Sequence, residues 1–381
     1  MALESLFEKR AVRDPAWNAW ASGGEMPSGG NTQAGELVTT GSALQLLAVY
    51  SAVSFIADTV GQLPIDQYRK VNGERREVFP RAAWLDQPNP DLDGQDFITQ
   101  FIASLLINGN SYTAVLRNRN GEVAELYPIH PDEVRVEREG SGAPLSYYLN
   151  GQRYQGEIMH RKAFSLPGQI LGANPIGFAR EAIGAGLAQQ KFGARFYSNG
   201  TVPGIVIETP QGPEVIDAER LKEGVEKFHR GSAAAHRALV LTGGASAKTL
   251  AISPADAQFL EGRNFTAAEI ATGVYRIPPD VLGYALQGSK DITYQNLESR
   301  WTELRRRCFG TWITKYERAM FSLLPRPQYV RLNDDAYMRA DMRTRYDSYK
   351  VGLEAGFLTV DEVRALEDLA PLPQAPVVPA G

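Results

Sequence analysis

Apolar side chains recur at helical spacing in several separate stretches of this chain, and between those stretches the period shortens to that of strands. Leu46, Val49, Val53, Ile56 and Val60 return every three or four positions, which predicts a helix from about Ala43 to Val60, closed by Gly61 and Pro64. A short strand, Ile65 to Tyr68, follows. Phe97, Phe101 and Leu105 define a second helix, preceded by Asp91 to Gly94 and ended at Asn108-Gly109-Asn110. The period then changes: Ser111 to Arg117 and Glu122 to Tyr127 read as two strands joined at Asn118-Arg119-Asn120-Gly121, a hairpin signal. Val134 to Arg138, Ser146 to Leu149 and Glu157 to His160 are further short strands, so this part of the chain reads as α+β.

A helix from about Pro175 to Ser198 opens on Pro175 and ends at Asn199-Gly200. At about 1.5 Å per residue it is on the order of 35 Å long. It is rich in small residues, among them Gly177, Gly184, Gly186 and Gly193, although each interior glycine costs about 1 kcal/mol relative to alanine. That points to a close helix crossing, within the chain or between neighbouring copies. Residues 201–252 read as a β-α-β block: Ile205 to Glu208, a helix from Ala218 to His229, then Ala238 to Leu241 and Thr249 to Ile252. Another helix runs from Ser253-Pro254 to Tyr275 and is stopped by Pro278-Pro279. After Pro278 to Ile292, which holds Gly283 and Gly288, a third long helix spans Tyr294 to Leu324, with Leu297, Trp301, Leu304, Cys308, Trp312, Ile313, Tyr316 and Met320 as its apolar stripe. Asp334 to Leu369 carries two helical segments around Ala355-Gly356-Phe357-Leu358, the second opened by the capping pattern Thr359 and Glu362. Residues 11–41, rich in Gly, Ser, Thr and Pro, show no period; with the preceding residues they form a flexible arm, and the Pro-rich tail from Pro371 is mobile too. There is no internal repeat.

With 381 residues, 43% of them hydrophobic, the chain can bury a substantial core. Nothing approaches the roughly 20 apolar residues that cross a bilayer, and the best stretch, Ile176 to Ala188, contains Arg180 and Glu181. The N-terminal Glu4, Glu8, Lys9 and Arg10 interrupt any secretory core, so synthesis and residence in a cytoplasm are expected. Cys308 is the single cysteine, which excludes an intrachain disulfide; Arg305, Arg306 and Arg307 stand beside it, and it reads as an unreactive helical cysteine. The net charge of −4 and pI near 5.8 argue against a tight DNA binder but not against a channel, since a wall that neutralised many phosphates would hold DNA rather than let it slide.

Chemistry is sparse. His130, His160, His229 and His236 lie far apart in no metal-binding spacing, and no G-x-x-x-x-G-K-S/T loop exists, so no cofactor is expected and any ATP-driven motor is a partner. Gly184-Ala185-Gly186 falls within a helix, the wrong context for a dinucleotide site. Asp334, Asp335 and Asp341, or Asp280 with Asp291, are the residues a metal-dependent DNA-processing enzyme would use; the competing reading has Asp334-Asp335 opening a helix. Tyr147-Tyr148 and Trp17, Trp20, Trp84, Trp301 and Trp312 read as core or interface anchors rather than base-stacking platforms. Arg305-Arg306-Arg307 point three ways from a helix and form a solvated face with ion pairs.

Several local strings, in order, carry a resemblance. They are Tyr50-Ser51-Ala52-Val53 leading to Ile56-Ala57 and Leu63-Pro64; Leu85-Asp86-Gln87-Pro88-Asn89-Pro90; Leu106-Ile107-Asn108-Gly109-Asn110-Ser111-Tyr112; Leu126-Tyr127-Pro128-Ile129 with Pro131; and Ala194-Arg195-Phe196-Tyr197-Ser198-Asn199-Gly200 before Pro203-Gly204. Asp256-Ala257-Gln258-Phe259-Leu260, Ile277-Pro278-Pro279 with Leu282-Gly283, and Leu358-Thr359 with Glu362-Val363-Arg364 complete the set. Together they cover most of residues 42–370, and the chain resembles the phage portal family of the Hong Kong 97 type, the head-to-tail connectors of tailed bacteriophages.

The resemblance implies an α+β portal fold: a flexible N-terminal arm (1–41), the first part of a wing (42–174), stem helix 1 (175–200), a clip (201–252), stem helix 2 (253–277), a tunnel loop (278–292), the long wing helix (293–332), a helical crown (333–370) and a flexible tail (371–381). It further implies a non-enzymatic homo-oligomer, a closed ring that is typically a dodecamer, assembled in the bacterial cytoplasm and resident in the virion at one capsid vertex. Double-stranded DNA passes through the ring during packaging and ejection without being read. The clip docks the large terminase and later head-completion or adaptor proteins, the wing meets the major capsid protein, and no membrane is involved. Tyr284, Leu286, Gln287, Ser289 and Lys290 are the tunnel-loop residues toward DNA, with Pro278, Pro279, Gly283 and Gly288 as its hinge. A prophage or a gene transfer agent can carry the same protein. The competing classes are the metal-dependent DNA-processing enzyme and another structural protein of the head-to-tail joint; the length and long helices weigh against the latter.

Overall fold

The computed structural model describes residues 30–138, 143–198, 205–208, 246–249, 255–284, 297–334, 342–367 and 369–372. Its core begins with two helices, α2 (Leu47–Gly61) and α4 (Gly94–Asn108), the former preceded by the short α1 (Thr40–Leu44) and separated from the latter by α3 (Ala83–Asp86). α2 and α4 cross antiparallel, because Gly61 at the end of α2 lies against the start of α4: a Cβ there would stand 2.2 Å from Thr99 Oγ1 and 3.3 Å from the Gln95 carbonyl. Asp93 caps α4 by accepting from the Asp96 N–H at 2.8 Å, and Gly109 ends it at φ +74°.

Asn110, immediately after, begins β5 (Asn110–Arg117), the middle strand of an antiparallel sheet with β6 (Val123–Ile129) and β10 (Glu157–Lys162). The expected hairpin is present, with a bulge at Leu116/Arg117. Three further short strands, β7 (Val134–Arg138), β8 (Leu145–Leu149) and β9 (Gln152–Arg153), form a second sheet over a small cluster of Tyr112, Val134, Val136 and Ile170. A third sheet joins distant parts of the chain: β3 (Ile65–Val71) lies between β4 (Glu74–Glu77) and β13 (Gln328–Leu332), with Ile65 opposite Leu332. The Gln67 amide donates to Gln328 Oε1 at 2.6 Å and its oxygen accepts from the Ala82 N–H at 2.8 Å, so the buried polar group at this junction is satisfied.

The third predicted helix is interrupted. α8 (Leu297–Leu304) passes through a π turn, Arg305–Phe309, into α9 (Gly310–Phe321). Gly310 makes the turn possible: its N–H donates to the Arg305 carbonyl, which a Cβ on residue 310 would meet at 2.8 Å. α9 lays the fully buried Tyr316 edge-on against Phe101 and Phe97 of α4, at centroid distances of 5.6 and 6.5 Å. Trp84 is buried, and Trp301 and Trp312 are half-buried against the same core.

Other expectations are corrected. Residues 30–41, assigned to the arm, are built into the body: β1 (Gly30–Asn31) pairs with β2 (Leu37–Val38), and Val38 and Thr32 are buried. They reach the predicted helix at 175–198, which is itself broken at Ala179 into α5 (Pro175–Phe178) and α6 (Arg180–Ser198). A Cβ on Gly184 would lie 2.5 Å from the Thr32 side chain and one on Gly186 2.8 Å from Leu46, so these two glycines serve a close crossing inside the chain. The next strand, β11 (Ile205–Glu208), pairs with β12 (Ser246–Thr249), earlier than the Thr249 to Ile252 expected. The helix at 218–229, the strand at 238–241 and most of the arm with Trp17 and Trp20 lie outside the described residues. Asp334 follows β13 and pairs with Arg305, and the residues after it, on which its reading as a helix opener falls, lie outside the described residues; the described helices beyond are α10 (Met342–Glu354) and α11 (Val360–Leu366), the latter with the expected Thr359–Glu362 capping box. Among the described residues no helix is long and apolar enough to cross a membrane.

Two outcomes are expected. A Cβ on Gly109 would meet the Ala173 carbonyl at 2.0 Å in a left-handed backbone, so Gly109→Ala lowers stability by at least about 2 kcal/mol in denaturant titration. His160, stacked on Tyr112 at 4.4 Å with Nε2 3.1 Å from Asn110 Oδ1, is pushed from its ordinary 6.5 to about 3 by burial, then by Lys162 and Arg161. The unfolded chain therefore takes up this proton first: the stability tied to the neutral ring is complete above pH 6.5 and is lost as pH falls toward 3. Thermal melts across that window fall with pH in the native chain and flatten in His160→Phe.

Candidate functional site

The region with the most distinctive backbone is the root of the segment between α7 (Ala255–Glu269) and α8. α7 continues into a π turn, Ile270–Val274, whose Ile270 and Ala271 are fully buried. It ends at Arg276, a non-glycine residue at φ +60°, with the Arg276 N–H donating to Thr272 at 3.2 Å and the Ile277 N–H to Ala271 at 2.9 Å. This is a left-handed cap of the Schellman type, widened by the π turn, and the strain at Arg276 is held by the fully buried Ile277 next to it.

Pro278 then leads into a 3-10 turn, Pro279–Leu282, closed by Gly283 at φ +80°. The Gly283 N–H donates to Asp280 at 3.2 Å and the Tyr284 N–H to Pro279 at 2.9 Å. Asp280 pairs with Arg300 of α8, and Arg300 also reaches Glu303 at 3.4 Å. One ion pair thus ties the residue before the segment to the helix after it. A second link lies deeper, where the Cys308 thiol donates to the Tyr275 carbonyl at 3.6 Å. Burial pushes that thiol up to about 12, against the opposing pull of Arg276, a direction in keeping with the unreactive helical cysteine expected from sequence.

Of the site residues expected from sequence, Pro278, Pro279, Gly283 and Tyr284 come together at this root. Tyr284 is half-buried, beside Leu46, Gln189 and Asn264 in a cleft of about 410 Å³, so its ring belongs to the base of the segment. Leu286, Gln287, Gly288, Ser289 and Lys290 lie outside the described residues. What sequence reasoning missed is the tie itself: Asp280 and Arg300 are 20 positions apart, with nothing in the string to pair them. The aspartates considered for metal chemistry are otherwise engaged, Asp280 by Arg300 and Asp334 by Arg305, while Asp291, Asp335 and Asp341 lie outside the described residues. Among the described residues no cluster of three His, Cys, Asp or Glu side chains could hold a metal ion.

Among the described residues a body of α-helices, three three-stranded sheets and two two-stranded ones has the mixed architecture of a portal subunit. The comparisons agree. The neck of a native gene transfer agent particle, computed with C12 symmetry, superposes with a TM-score of 0.60 at 23% identity, over 87% of this chain and 94% of that one. A portal protein of the HK97 family from Corynebacterium diphtheriae gives 0.54 at 17% identity, over 78% and 95%. In sequence, the probable portal protein of Streptomyces phage phiC31 is 32% identical over 363 residues, 89% of this chain and 78% of the relative. The portal protein of Enterobacteria phage HK97 is 27% identical over 348 residues, 87% and 80% respectively. The family described as phage portal protein matches residues 47–368, and the chain belongs to it. Its role is the structural one of a capsid portal protein.

The root geometry makes a prediction. The Asp280–Arg300 pair is partly exposed, so it contributes about 1 kcal/mol or less to global stability. Asp280→Asn leaves the melting temperature nearly unchanged and speeds tryptic cleavage after Lys290, read by mass spectrometry.

Proposed function

We propose that copies of the chain close head to tail into a ring of twelve around double-stranded DNA, at one capsid vertex. A heterologous interface of this kind closes without leftover edges. The observation that carries the reading is the loop root, where a strained cap, a 3-10 turn and an ion pair fix both ends of a short segment between long helices. From that base Leu286, Gln287, Ser289 and Lys290 face the passage, while Pro278, Pro279, Gly283 and Gly288 set the angle at which the segment leaves.

One cation among neutral side chains lets DNA slide, because each neutralised phosphate would add to affinity and slow transit. Residues 42–174 and 293–332 form the wing toward the major capsid protein, 175–200 and 253–277 the stem, and 333–370 the crown. The block at 201–252 is the clip that receives the large terminase during packaging and head-completion or adaptor proteins afterwards. Necks of gene transfer agent particles were computed with C12 and with C6 symmetry, and a ring of twelve is compatible with both.

Negative-stain microscopy of the purified full chain checks this: twelvefold rings with an axial hole are expected. Persistent monomers, or discs without a hole, overturn it. Deleting 286–290 should leave the rings intact and alter DNA retention in packaging assays.

A further inference from the structure

Of the five tryptophans, Trp84, Trp301 and Trp312 belong to the core of the body or pack against it. Trp17 and Trp20 stand instead in a Gly- and Ser-rich stretch with no apolar period of its own. Indoles carry a large apolar surface, so a pair of them in such a stretch calls for an apolar seat elsewhere.

The body offers one. Where α5 meets α9 lies a groove of about 460 Å³, lined by Leu106, Phe164, Phe178, Val274 and Trp312 among others. Phe164 and Phe178 are 62% and 55% exposed, although Leu106 and Tyr275 in the same wall are buried. Arg276 and Lys315 also line the groove; Lys315 donates to the Lys162 carbonyl at 2.8 Å, and among the described residues no carboxylate pairs with either cation. Aromatic rings with cations beside them suit an indole, whose face attracts a cation, accompanied by a carboxylate.

The path of the chain points to the N-terminal arm as the occupant. The Gln33 N–H donates to Glu181 Oε2 at 3.0 Å, and Thr32 packs where a Cβ on Gly184 would stand. The arm therefore joins the body beside the start of α6, and Glu181 is three positions beyond the groove residue Phe178. Trp20 precedes Gly30 by ten positions and Trp17 by thirteen. Extended, those spans reach roughly 35 and 45 Å, several times the length of a helical turn. Asp14, three positions before Trp17, brings the carboxylate. The opposite terminus lacks this combination, since residues 373–381 hold neither an aromatic nor an acidic side chain. The cleft beside Tyr284 is a poorer seat, because Gln189, Gln190, Arg263 and Asn264 in its wall would be desolvated by an indole.

We propose that residues 14–20 dock in the groove of their own chain, with Trp17 and Trp20 against Phe164, Phe178 and Trp312 and with Asp14 toward Arg276 or Lys315. Docked there, the arm straps α5 to α9 and covers the two exposed phenylalanines. The contact lies within one copy, so it stands apart from the ring reading and is tested separately from it.

The test uses the full chain with the photoreactive residue p-benzoylphenylalanine in place of Phe178, half of the molecules labelled with nitrogen-15 and mixed before irradiation. Mass spectrometry of the digest then locates the linked residues. Same-isotope links from position 178 to residues 14–20 are expected. Mixed-isotope links to the arm assign the groove to a neighbouring copy's arm and overturn the proposal, as do links to any other segment or none at all. A second measurement leaves the described body untouched. Trp17→Ala combined with Trp20→Ala uncovers the groove, so the fluorescence of anilinonaphthalene sulfonate, an apolar anion, rises above that of the native chain, and Phe178→Ser added to that variant takes the rise away. Equal dye fluorescence in the native chain and the double tryptophan variant sinks the proposal.

Discussion

The pairing of β3 with β13 is the constraint on which the rest depends. It brings Gln67 and Gln328 into hydrogen bond across 261 positions, and α9 then presses Tyr316 onto α4 from the same side. One body is therefore made from both ends of the described chain, and the helices between are rooted in it. Asn174 caps α5, whose Ile176 is fully buried in the shared core, as are Ile183 of α6 and Ile277 after α7. The bases of α6 and α7 are thus set by hydrophobic burial, the least directional and most robust of the forces available.

With the bases fixed, electrostatics does the finer work. Asp280 and Arg300 close the segment that follows, and Arg305 holds Asp334 where the chain leaves β13. These pairs are half-exposed and weak one by one, so their effect is on where the backbone points rather than on whether it folds. The proposed ring would use that division: a body stiff enough to form part of it, and a segment after Tyr284 whose direction at its root is set by contacts that can be remade.

Much of the fold was legible because it rests on periodicity and chain punctuation. Asp93 before α4 and Gly109 after it, Pro175 at the start of α5, and Thr359 with Glu362 at α11 are local signals, and each element begins or ends there. The breaks were not legible. The π turns at Ile270–Val274 and Arg305–Phe309 keep helical periodicity on both sides, and Gly310 reads in the string as one more small residue. The packing of residues 30–41 escaped for a different reason: Val38 and Thr32 are buried by Gly184 and its neighbours, a partner nearly 150 positions away that no window of sequence contains. The tie at the loop root is of that kind too.

Each π turn also has a bearing on chain length. Such a turn accommodates one residue more than the regular helix around it, so the side chains beyond it are rotated by about 100° relative to an uninterrupted helix. Arg305–Phe309 therefore marks a place where losing one residue would remove the bulge and leave two ordinary helical stretches in new angular alignment. In other chains built on this plan, single-position gaps should gather at Ile270–Val274 and Arg305–Phe309, whereas α4, gripped by Gly61 on one side and Tyr316 on another, should keep its length.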